Sequence, residues 1–292
     1  MKPIFFSDFE EDTYNTNITR SVSVCFWGGA NVNILQKKVV NFISRKPIYS
    51  NYFGIDLEKV EYIECSDTLL LRKPYETFSR IYFLSTNANQ LIDLLRTLSA
   101  DDIINIPSKN GLSSSLLQTL SAGGYSLFET YVRLYNNNSE SRDKFVDDCF
   151  ARIEDVPIMY HILYANFCPY TDTLPSKDEL TNMVLNKQLI VCRNEREEVT
   201  GLVAFTLMKS RCYFSILINV GGGATDGLNL LFKGFDYIAS KNITQYYLWA
   251  KETNHRAVNL YFALGCKLDG LKDYTFIKQE KNETENKADA HG

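Results

Sequence analysis

Residues 221–223 are three consecutive glycines, and they open the segment GGGATDG between an apolar stretch ending at Val220 and an amphipathic stretch at 226–240. The first stretch has the composition of a strand, and the second has apolar residues at helical spacing. The first N–H groups of a helix are unpaired and carry the positive end of its dipole, so a phosphate can bind there, and glycines let it approach closely. The segment predicts a phosphate-binding loop, with a merely flexible turn as the alternative.

Two other nucleotide-binding motifs fit this segment less well. Gly221, Gly223 and Gly227 have the GxGxxxG spacing of some nicotinamide-binding proteins, but no acidic residue stands about 20 positions further on to hold a ribose. Too little chain follows to complete a doubly wound sheet. The GK[ST] ending of a P-loop is missing as well. Neither motif explains the loop.

Hydrophobic periodicity and turn residues predict the elements that would position the loop. They are helices at 155–167 and 176–185, strands at 189–193, 201–209 and 212–220, a helix at 226–240, a strand at 243–250, a helix at 254–264 and a hairpin at 266–278. Ser176 and Glu179 have the spacing of a helix capping box. The strand, loop, helix, strand unit predicts that the strands at 213–220 and 246–250 are parallel neighbours.

A spaced pattern follows these elements, with Asn254, Ala257, Tyr261 and Gly265 in the order Asn-x-x-Ala-x-x-x-Tyr-x-x-x-Gly. Together with the order of elements, it resembles the GNAT superfamily of N-acetyltransferases over residues 151–278. The resemblance implies an α/β fold with a mixed sheet. It also implies that the two parallel strands splay apart and that acetyl-CoA, or another acyl-CoA, lies between them as co-substrate.

The resemblance implies coenzyme binding by the strand before the loop, by the loop itself and by the start of the last helix. The residues concerned are Leu217, Ile218, Val220, Gly222, Gly223, Ala224, Thr225, Gly227 and Asn254. The strand would use backbone groups to bind pantetheine and polarise the thioester. Asn254 would hold the coenzyme arm, cap its helix, or do both. The loop departs from the family in two ways, because its leading basic or amide residue is missing and Asp226 would compete with a pyrophosphate.

Tyr261 corresponds to the family tyrosine that protonates the departing thiolate, and a buried core aromatic is the alternative. The family's general base is not identified here, because CYFSILINV before the loop contains no carboxylate. Glu197, Glu198, Asp172 and a backbone-held water remain candidates.

In this family the loop between the first two helices contributes much of the acceptor site, which implies Phe167, Tyr170 and Asp172 here. Aromatic residues with one acid suit a polar amine, although the same side chains could simply pack the loop. We expect transfer of an acetyl or short acyl group to a primary amine of a small molecule. Two alternatives are a non-catalytic GNAT-like binding or assembly module and a protein N-terminal acetyltransferase.

The polar segment YNNNSESRDK at 135–144 divides the chain. It predicts an N-terminal α/β domain at 1–137, an acyltransferase domain at 148–278 and a disordered tail at 279–292. The end of the first half echoes the end of the second: with Gly124 aligned to Gly265, Leu120 stands opposite Tyr261 and Ser113 opposite Asn254. The first half therefore resembles a reduced, non-catalytic copy of the same fold, and a plain structural partner is the alternative.

Composition sets the class of partner. The chain of 292 residues has 31 Lys and Arg against 35 Asp and Glu, so a net charge of −4 gives no electrostatic reason to bind nucleic acid or an anionic membrane. No apolar run reaches membrane-spanning length, and the N-terminus has no signal-peptide core. Seven cysteines without a CxxC pair and three histidines predict no metal site. We expect a cytoplasmic protein with a small-molecule acceptor.

Overall fold

The computed structural model describes residues 28–29, 32–137, 145–221 and 224–279. The chain divides into two compact units, one of Met1–Phe128 with Tyr274–Gly292 and one of Glu129–Asp273. None of the helices in the described ranges is long and apolar enough to span a membrane.

The first unit is built on an antiparallel meander followed by two helix–strand steps. Its elements are β1 (Gly28–Gly29), α1 (Val32–Ser44), β2 (Tyr49–Ser50), β3 (Glu61–Glu64), β4 (Thr68–Pro74), β5 (Ser79–Ser85), α2 (Ala88–Thr97), β6 (Asp102–Ser108), α3 (Ser114–Ala122) and the start of β7 (Tyr125–Asn136). Strands β3, β4 and β5 pair antiparallel, and β5 pairs parallel with β6.

Both faces of the meander are covered, which explains why β4 and β5 read as continuous apolar runs rather than alternating ones. Leu70 of β4 packs in a core with α2, whereas its neighbours Leu69 and Leu71 pack in a second core with α1. Asn87 caps α2 by accepting a hydrogen bond from the Gln90 N–H at 3.1 Å.

The second unit repeats this order of elements. It contains the remainder of β7, α4 (Val156–Asn166), α5 (Lys177–Leu185), β8 (Leu189–Arg193), β9 (Val199–Leu207), β10 (Arg211–Asn219), α6 (Ala224–Ser240), β11 (Gln245–Lys251), α7 (His255–Ala263) and most of β12 (Lys267–Lys278). Short 3₁₀ turns at Asp147–Cys149 and Ile153–Asp155 precede α4. Strands β8, β9 and β10 form an antiparallel meander, β10 pairs parallel with β11, and β11 pairs antiparallel with β7.

Two helical layers cover this sheet. Helix α6 packs on one face, and α4 with α5 packs on the other face over β8 and β9. The capping box predicted at the start of α5 is present: Ser176 Oγ accepts from the Glu179 N–H, and Glu179 accepts from the Ser176 N–H. The fold prediction of a mixed α/β architecture is therefore confirmed, with helix and strand ends close to those expected.

The predicted hairpin at 266–278 is wrong, because this segment is the single strand β12. Strand β7 from the first half of the sequence occupies the place beside β11, so no hairpin arm is needed there. Gly270 has a φ of +85°, and the Leu271 N–H donates to Asp269 Oδ1, which gives a local irregularity instead of a reversal.

The two units are also bounded differently from the predicted domains. Residues 274–278 of β12 belong to the first unit, where Phe276 packs in the core and the Asn105 amide donates to Thr275 Oγ1. The division between units falls after Phe128 in β7 rather than at the polar segment, of which 138–144 lie outside the described residues. Of the predicted tail, only Gln279 is described, and its N–H donates to the Gly124 carbonyl.

Candidate active site

The parallel strands β10 and β11 separate part-way along their length. They are in register from Arg211 opposite Gln245 to Phe214 opposite Leu248. Beyond that point β10 continues against β9, with a bulge between Phe214 and Ile216, and β11 continues against β7. A bulge bends its strand and increases the local twist. The pairing leaves a gap between the carboxyl-terminal halves of the two strands, as the family resemblance implied.

The hydrogen bonding of β10 to β9 determines which backbone groups face this gap. The Val220 N–H donates to the Thr200 carbonyl at 2.7 Å. Alternate residues of a strand direct their N–H and C=O groups to opposite sides. Ile218 therefore faces β9, as Val220 does, whereas Leu217 and Asn219 face the gap. Of the three strand residues predicted to contact the coenzyme, Leu217 directs its backbone groups into the gap. Ile218 and Val220 direct theirs to β9, where the Val220 N–H is bonded to Thr200.

The glycine loop leads from β10 into α6. Gly222 and Gly223 lie outside the described residues, as does the side chain of Ala224, the first residue of α6. Thr225 and Asp226 are exposed in the first helical turn. A Cβ atom on Gly227 would lie 3.6 Å from Asn219 Cβ, an ordinary contact, so the first turns of α6 lie next to a residue that faces the gap. The predicted anion site therefore has a helix N-terminus, with a carboxylate in its first turn.

Asn254 caps α7. Its Oδ1 accepts a hydrogen bond from the Ala257 N–H at 3.1 Å, and the residue is exposed. Asn254 therefore caps its helix, which was one of its two predicted roles. The Nδ2 group is not part of that cap, so the geometry also permits Asn254 to donate to a ligand.

Tyr261 lies on the buried face of α7, with 8% of its surface exposed, in the core cluster that contains Tyr246 and Cys266. Burial raises the pKa of the Tyr261 phenol to about 12, with a smaller contribution from Cys266. The phenol is therefore neutral at physiological pH and is available as a hydrogen-bond donor. Complete transfer of its proton to a thiolate with a pKa of about 8.5 would cost roughly 5 kcal/mol.

The loop between α4 and α5 brings Asp172 to the carboxyl end of β11 and the middle of β7. The Tyr131 hydroxyl donates to Asp172 Oδ1 at 2.5 Å, and the Cys168 N–H donates to Oδ2 at 3.0 Å. Lys251 Nζ lies 3.9 Å from Asp172 Oδ2 and 3.8 Å from Glu129 Oε2. Burial and the bond to Asp172 raise the pKa of Tyr131 well above its usual range. We call Glu129, Tyr131, Asp172 and Lys251 the carboxylate cluster.

The other two predicted acceptor residues are half-buried in the same loop. Phe167 ends α4, where its N–H donates to the Leu163 carbonyl, and its ring packs against the core under α4 and α5. Tyr170 lies between Phe167 and Asp172. By contrast, Glu197 and Glu198 are exposed in the turn between β8 and β9, where Asn194 donates to Glu198. Of the candidate carboxylate bases, Asp172 alone contacts β11 beyond Leu248 among the described contacts.

Sequence reasoning missed the partners of Asp172, because Glu129 and Tyr131 were assigned to the other half of the chain. The alternation of buried and partly buried residues along β7 and β11 is a signal that could have found them. Lys251 pairs with Tyr131 across the two strands, Trp249 with Arg133, and Tyr247 with Tyr135. Directly opposed residues project from the same face, so these three pairs form one half-buried surface, which we call the aromatic platform.

The first unit has a corresponding separation of strands, which strand β2, paired with β5 at Ser85 and Leu84, and the side chain of Asn51 fill. Strands β5 and β6 are in register only from Ser79 to Ile81. Beyond this point the Asn51 amide donates to the Ile81 carbonyl at 2.9 Å and to the Asn105 carbonyl at 3.0 Å, and it accepts from the Phe83 N–H at 2.7 Å. Asn51 is 4% exposed.

Known proteins resemble the chain in structure alone. No protein-family model matches the sequence, and no curated protein sequence matches it. A GCN5-related N-acetyltransferase from Sphaerobacter thermophilus is 12% identical with a TM-score of 0.54, covering 77% of this chain and 82% of that one. A GNAT-family acetyltransferase from Colwellia psychrerythraea is 10% identical with a TM-score of 0.51, covering 88% and 99%.

A third similar structure contains a GCN5-related glucosamine N-acetyltransferase region of a fungal multi-domain β-N-acetylglucosaminidase. It is 11% identical with a TM-score of 0.50, covering 82% of this chain and 34% of that one. All three alignments extend over more than half of the sequence, and the strand order and the separated parallel strands of the second unit agree with the architecture expected from the resemblance. The chain therefore has the fold of the GNAT superfamily of N-acetyltransferases.

Proposed function

We propose that the second unit transfers an acetyl or other short acyl group from an acyl-CoA to a primary amine of a small molecule. The observation that carries the proposal is the gap between β10 and β11, because it presents the backbone groups of Leu217 and Asn219 beside the start of α6. A pantetheine arm carries two amides that such groups can bind. Gly227 brings the start of α6 next to Asn219, and a helix N-terminus is a favourable place for a pyrophosphate.

In the proposed reaction the amine nitrogen attacks the thioester carbonyl carbon, the carbon–sulfur bond breaks, and the nitrogen loses a proton. The Leu217 N–H stabilises the developing oxyanion from the gap. Tyr261 donates a hydrogen bond to the departing sulfur. With a pKa of about 12 it keeps its own proton, and the thiolate is protonated from solvent.

The carboxylate cluster is the proposed amine site. Asp172 and Glu129 supply two carboxylates against the single ammonium of Lys251, so the cluster carries one excess negative charge that suits an acceptor ammonium. Each carboxylate oxygen can accept about two hydrogen bonds, so Asp172 can bind an amine while it keeps Tyr131. The ammonium first loses one proton through water next to this carboxylate, which frees the nitrogen lone pair for attack, and the second proton leaves by the same route after attack.

Isothermal titration with acetyl-CoA and measurement of thiol release test the proposal. We expect one coenzyme bound per chain and amine-dependent thiol release; no binding at about millimolar coenzyme would refute it. Tyr261→Phe should lower kcat by roughly ten- to a hundredfold with little change in coenzyme affinity, because a hydrogen bond to a charged group contributes about 1.5–3 kcal/mol. Tyr125→Phe, which removes another buried phenol, is the control and should leave kcat unchanged.

A non-catalytic module is the second candidate, and the exposed carboxylate of Asp226 at the start of α6 favours it. At this exposed position a carboxylate and a pyrophosphate, as like charges, repel by about 1 kcal/mol at roughly 4 Å in water and by less at longer distance. Asp226→Asn should therefore tighten acetyl-CoA binding roughly two- to fivefold. Coenzyme binding without thiol release, for every amine tested, would favour the module over the enzyme.

A further inference from the structure

A cavity of about 180 Å³ lies on the second unit at the amino-terminal ends of β10 and β11. Arg133, Arg211, Gln245, Tyr247 and Asp269 are among its lining residues. The parallel register of β10 and β11 is intact there, so this cavity is distinct from the gap proposed for the coenzyme. A water molecule takes about 30 Å³ of liquid volume, so the cavity has room for a carboxylate or phosphate group.

The charges that line the cavity are mainly positive. Two guanidinium groups, of Arg133 and Arg211, lie 5.6 and 5.8 Å from the centre of the Tyr247 ring. One carboxylate accompanies them: Arg133 Nε donates to Asp269 Oδ2 at 2.7 Å. Tyr213 stacks on Tyr247 with ring centres 4.9 Å apart and holds that ring in place. Planar guanidinium groups held on aromatic rings are suited to binding carboxylate or phosphate.

The aromatic platform joins this cavity to the carboxylate cluster. The Lys251–Tyr131 pair lies at the cluster, the Trp249–Arg133 pair comes next, and the pair of Tyr247 lies at the cavity. Arg133 is 5.9 Å from the centre of the Trp249 ring, so its side chain lies along the platform. At about 3.3 Å per residue, the Trp249–Arg133 pair lies roughly 7 Å, and the pair of Tyr247 roughly 13 Å, from the Lys251–Tyr131 pair.

Negative charge at one end of the platform and positive charge at the other match a ligand with an ammonium and an anionic group. We propose that the cavity at Arg133 and Arg211 binds the carboxylate or phosphate of the amine that the second unit acylates. This proposal rests on the proposed function for the amine end. The acceptor is then a small zwitterion whose two charged groups lie roughly 7–13 Å apart.

Two matched pairs of probes separate the contribution of the anion. Triglycine and triglycinamide differ only in the carboxylate, and three extended residues span about 10 Å. Glucosamine 6-phosphate and glucosamine differ only in the phosphate, so the two pairs distinguish the two kinds of anion. Isothermal titration at constant ionic strength should show at least one anionic member binding about tenfold or more tightly than its neutral partner.

Substitutions at the cavity should remove this preference. Arg211→Gln and Arg133→Gln should each reduce it to below about threefold, whereas Arg133→Lys should retain part of it because the charge remains. Arg196→Gln, which removes an exposed charge of the same unit in the turn between β8 and β9, is the control and should keep the preference. Thermal melting of each variant establishes that it is folded.

Equal binding of the members of both pairs would overturn the proposal, as would no measurable binding of either anionic probe or a preference that survives both arginine substitutions. The outcomes that refute the proposed function differ from those that refute the anion site. If acetyl-CoA binds and neutral amines are acylated without an anion preference, the acyltransferase stands and the cavity proposal falls. If the preference depends on Arg211 but acetyl-CoA does not bind, the anion site stands and the acyl transfer falls.

Discussion

Replacing Asn51 with alanine should destabilise the first unit substantially. The side chain makes three hydrogen bonds, to the Ile81 carbonyl, the Asn105 carbonyl and the Phe83 N–H, at 2.9, 3.0 and 2.7 Å. Each such bond contributes about 0.5–1.5 kcal/mol, and its loss leaves a buried backbone group without that partner, so we expect a loss of about 2–4 kcal/mol. With Asn51 at 4% exposure, water does not readily replace these bonds.

Amide hydrogen exchange is the sharpest assay, because it reports on β5 directly. In Asn51→Ala the Phe83 N–H should exchange roughly 30- to 1,000-fold faster than in the parent protein, which is the stability loss converted to a ratio. Urea unfolding followed by circular dichroism should give the same loss in free energy. Asn41→Ala, at an exposed position of α1, should change the free energy of unfolding by no more than about 0.5 kcal/mol.

The result that would refute this reasoning is an Asn51→Ala variant that stays within about 0.5 kcal/mol of the parent and keeps the Phe83 N–H protected. The bonds of Asn51 would then contribute nothing to closing the gap between β5 and β6. A coenzyme stoichiometry of two per chain would contradict it independently, because a filled gap leaves one acyl-CoA site per chain.

Three further predictions concern the second unit. Tyr261→Phe should reduce the loss of stability at alkaline pH, because the phenol has a pKa of about 12 in the folded state and about 10 unfolded, so its contribution to stability is complete below pH 10 and is lost as the pH rises to 12. Between pH 9 and pH 11 the free energy of unfolding, measured with urea, should fall by about 1.4 kcal/mol less in the variant than in the parent protein. An identical pH dependence of the two proteins would contradict the prediction. Gly201→Ala should cost about 1–3 kcal/mol and weaken acetyl-CoA binding, because its Cβ would lie 2.7 Å from the Ile218 carbonyl, whereas Gly227→Ala should not lower stability. Tyr131→Phe should raise the acceptor KM about three- to tenfold with acetyl-CoA affinity unchanged, since Asp172 loses its 2.5 Å donor; steady-state kinetics would show no change if Asp172 does not bind the acceptor.

Local patterns predicted the second unit well because its elements are signalled by nearby residues. The box formed by Ser176 and Glu179 starts α5, and Asn254 caps α7, as their spacing indicates. The alignment of the two halves also has structural support. Ser113 caps α3 as Asn254 caps α7, and Gly124 and Gly265 follow those helices with φ of +89° and +83°.

Long-range pairing explains what the sequence did not predict. The hairpin at 266–278 was wrong because β7, more than a hundred residues earlier in the chain, takes the place beside β11. The same pairing brings Tyr131 to Asp172 and Arg133 to the cavity, which no local periodicity encodes. Helix α1 was not predicted, although Asn31 just before Val32 is a residue type that commonly caps helices.

The filled gap of the first unit bears on the chemistry of the second. Both units place a parallel strand pair after a meander, and both pairs lose register after three or four residues. In the first unit strand β2 pairs with the far end of β5, and the side-chain amide of Asn51 bonds Ile81 and Phe83 next to it. An amide donor and an amide acceptor thus satisfy the backbone of such a gap at 2.7–3.0 Å. The pantetheine arm offers the same two groups, so the proposed coenzyme site of the second unit depends on the backbone geometry of β10 more than on particular side chains. The proposed site is therefore compatible with a loop that lacks the family's leading basic or amide residue.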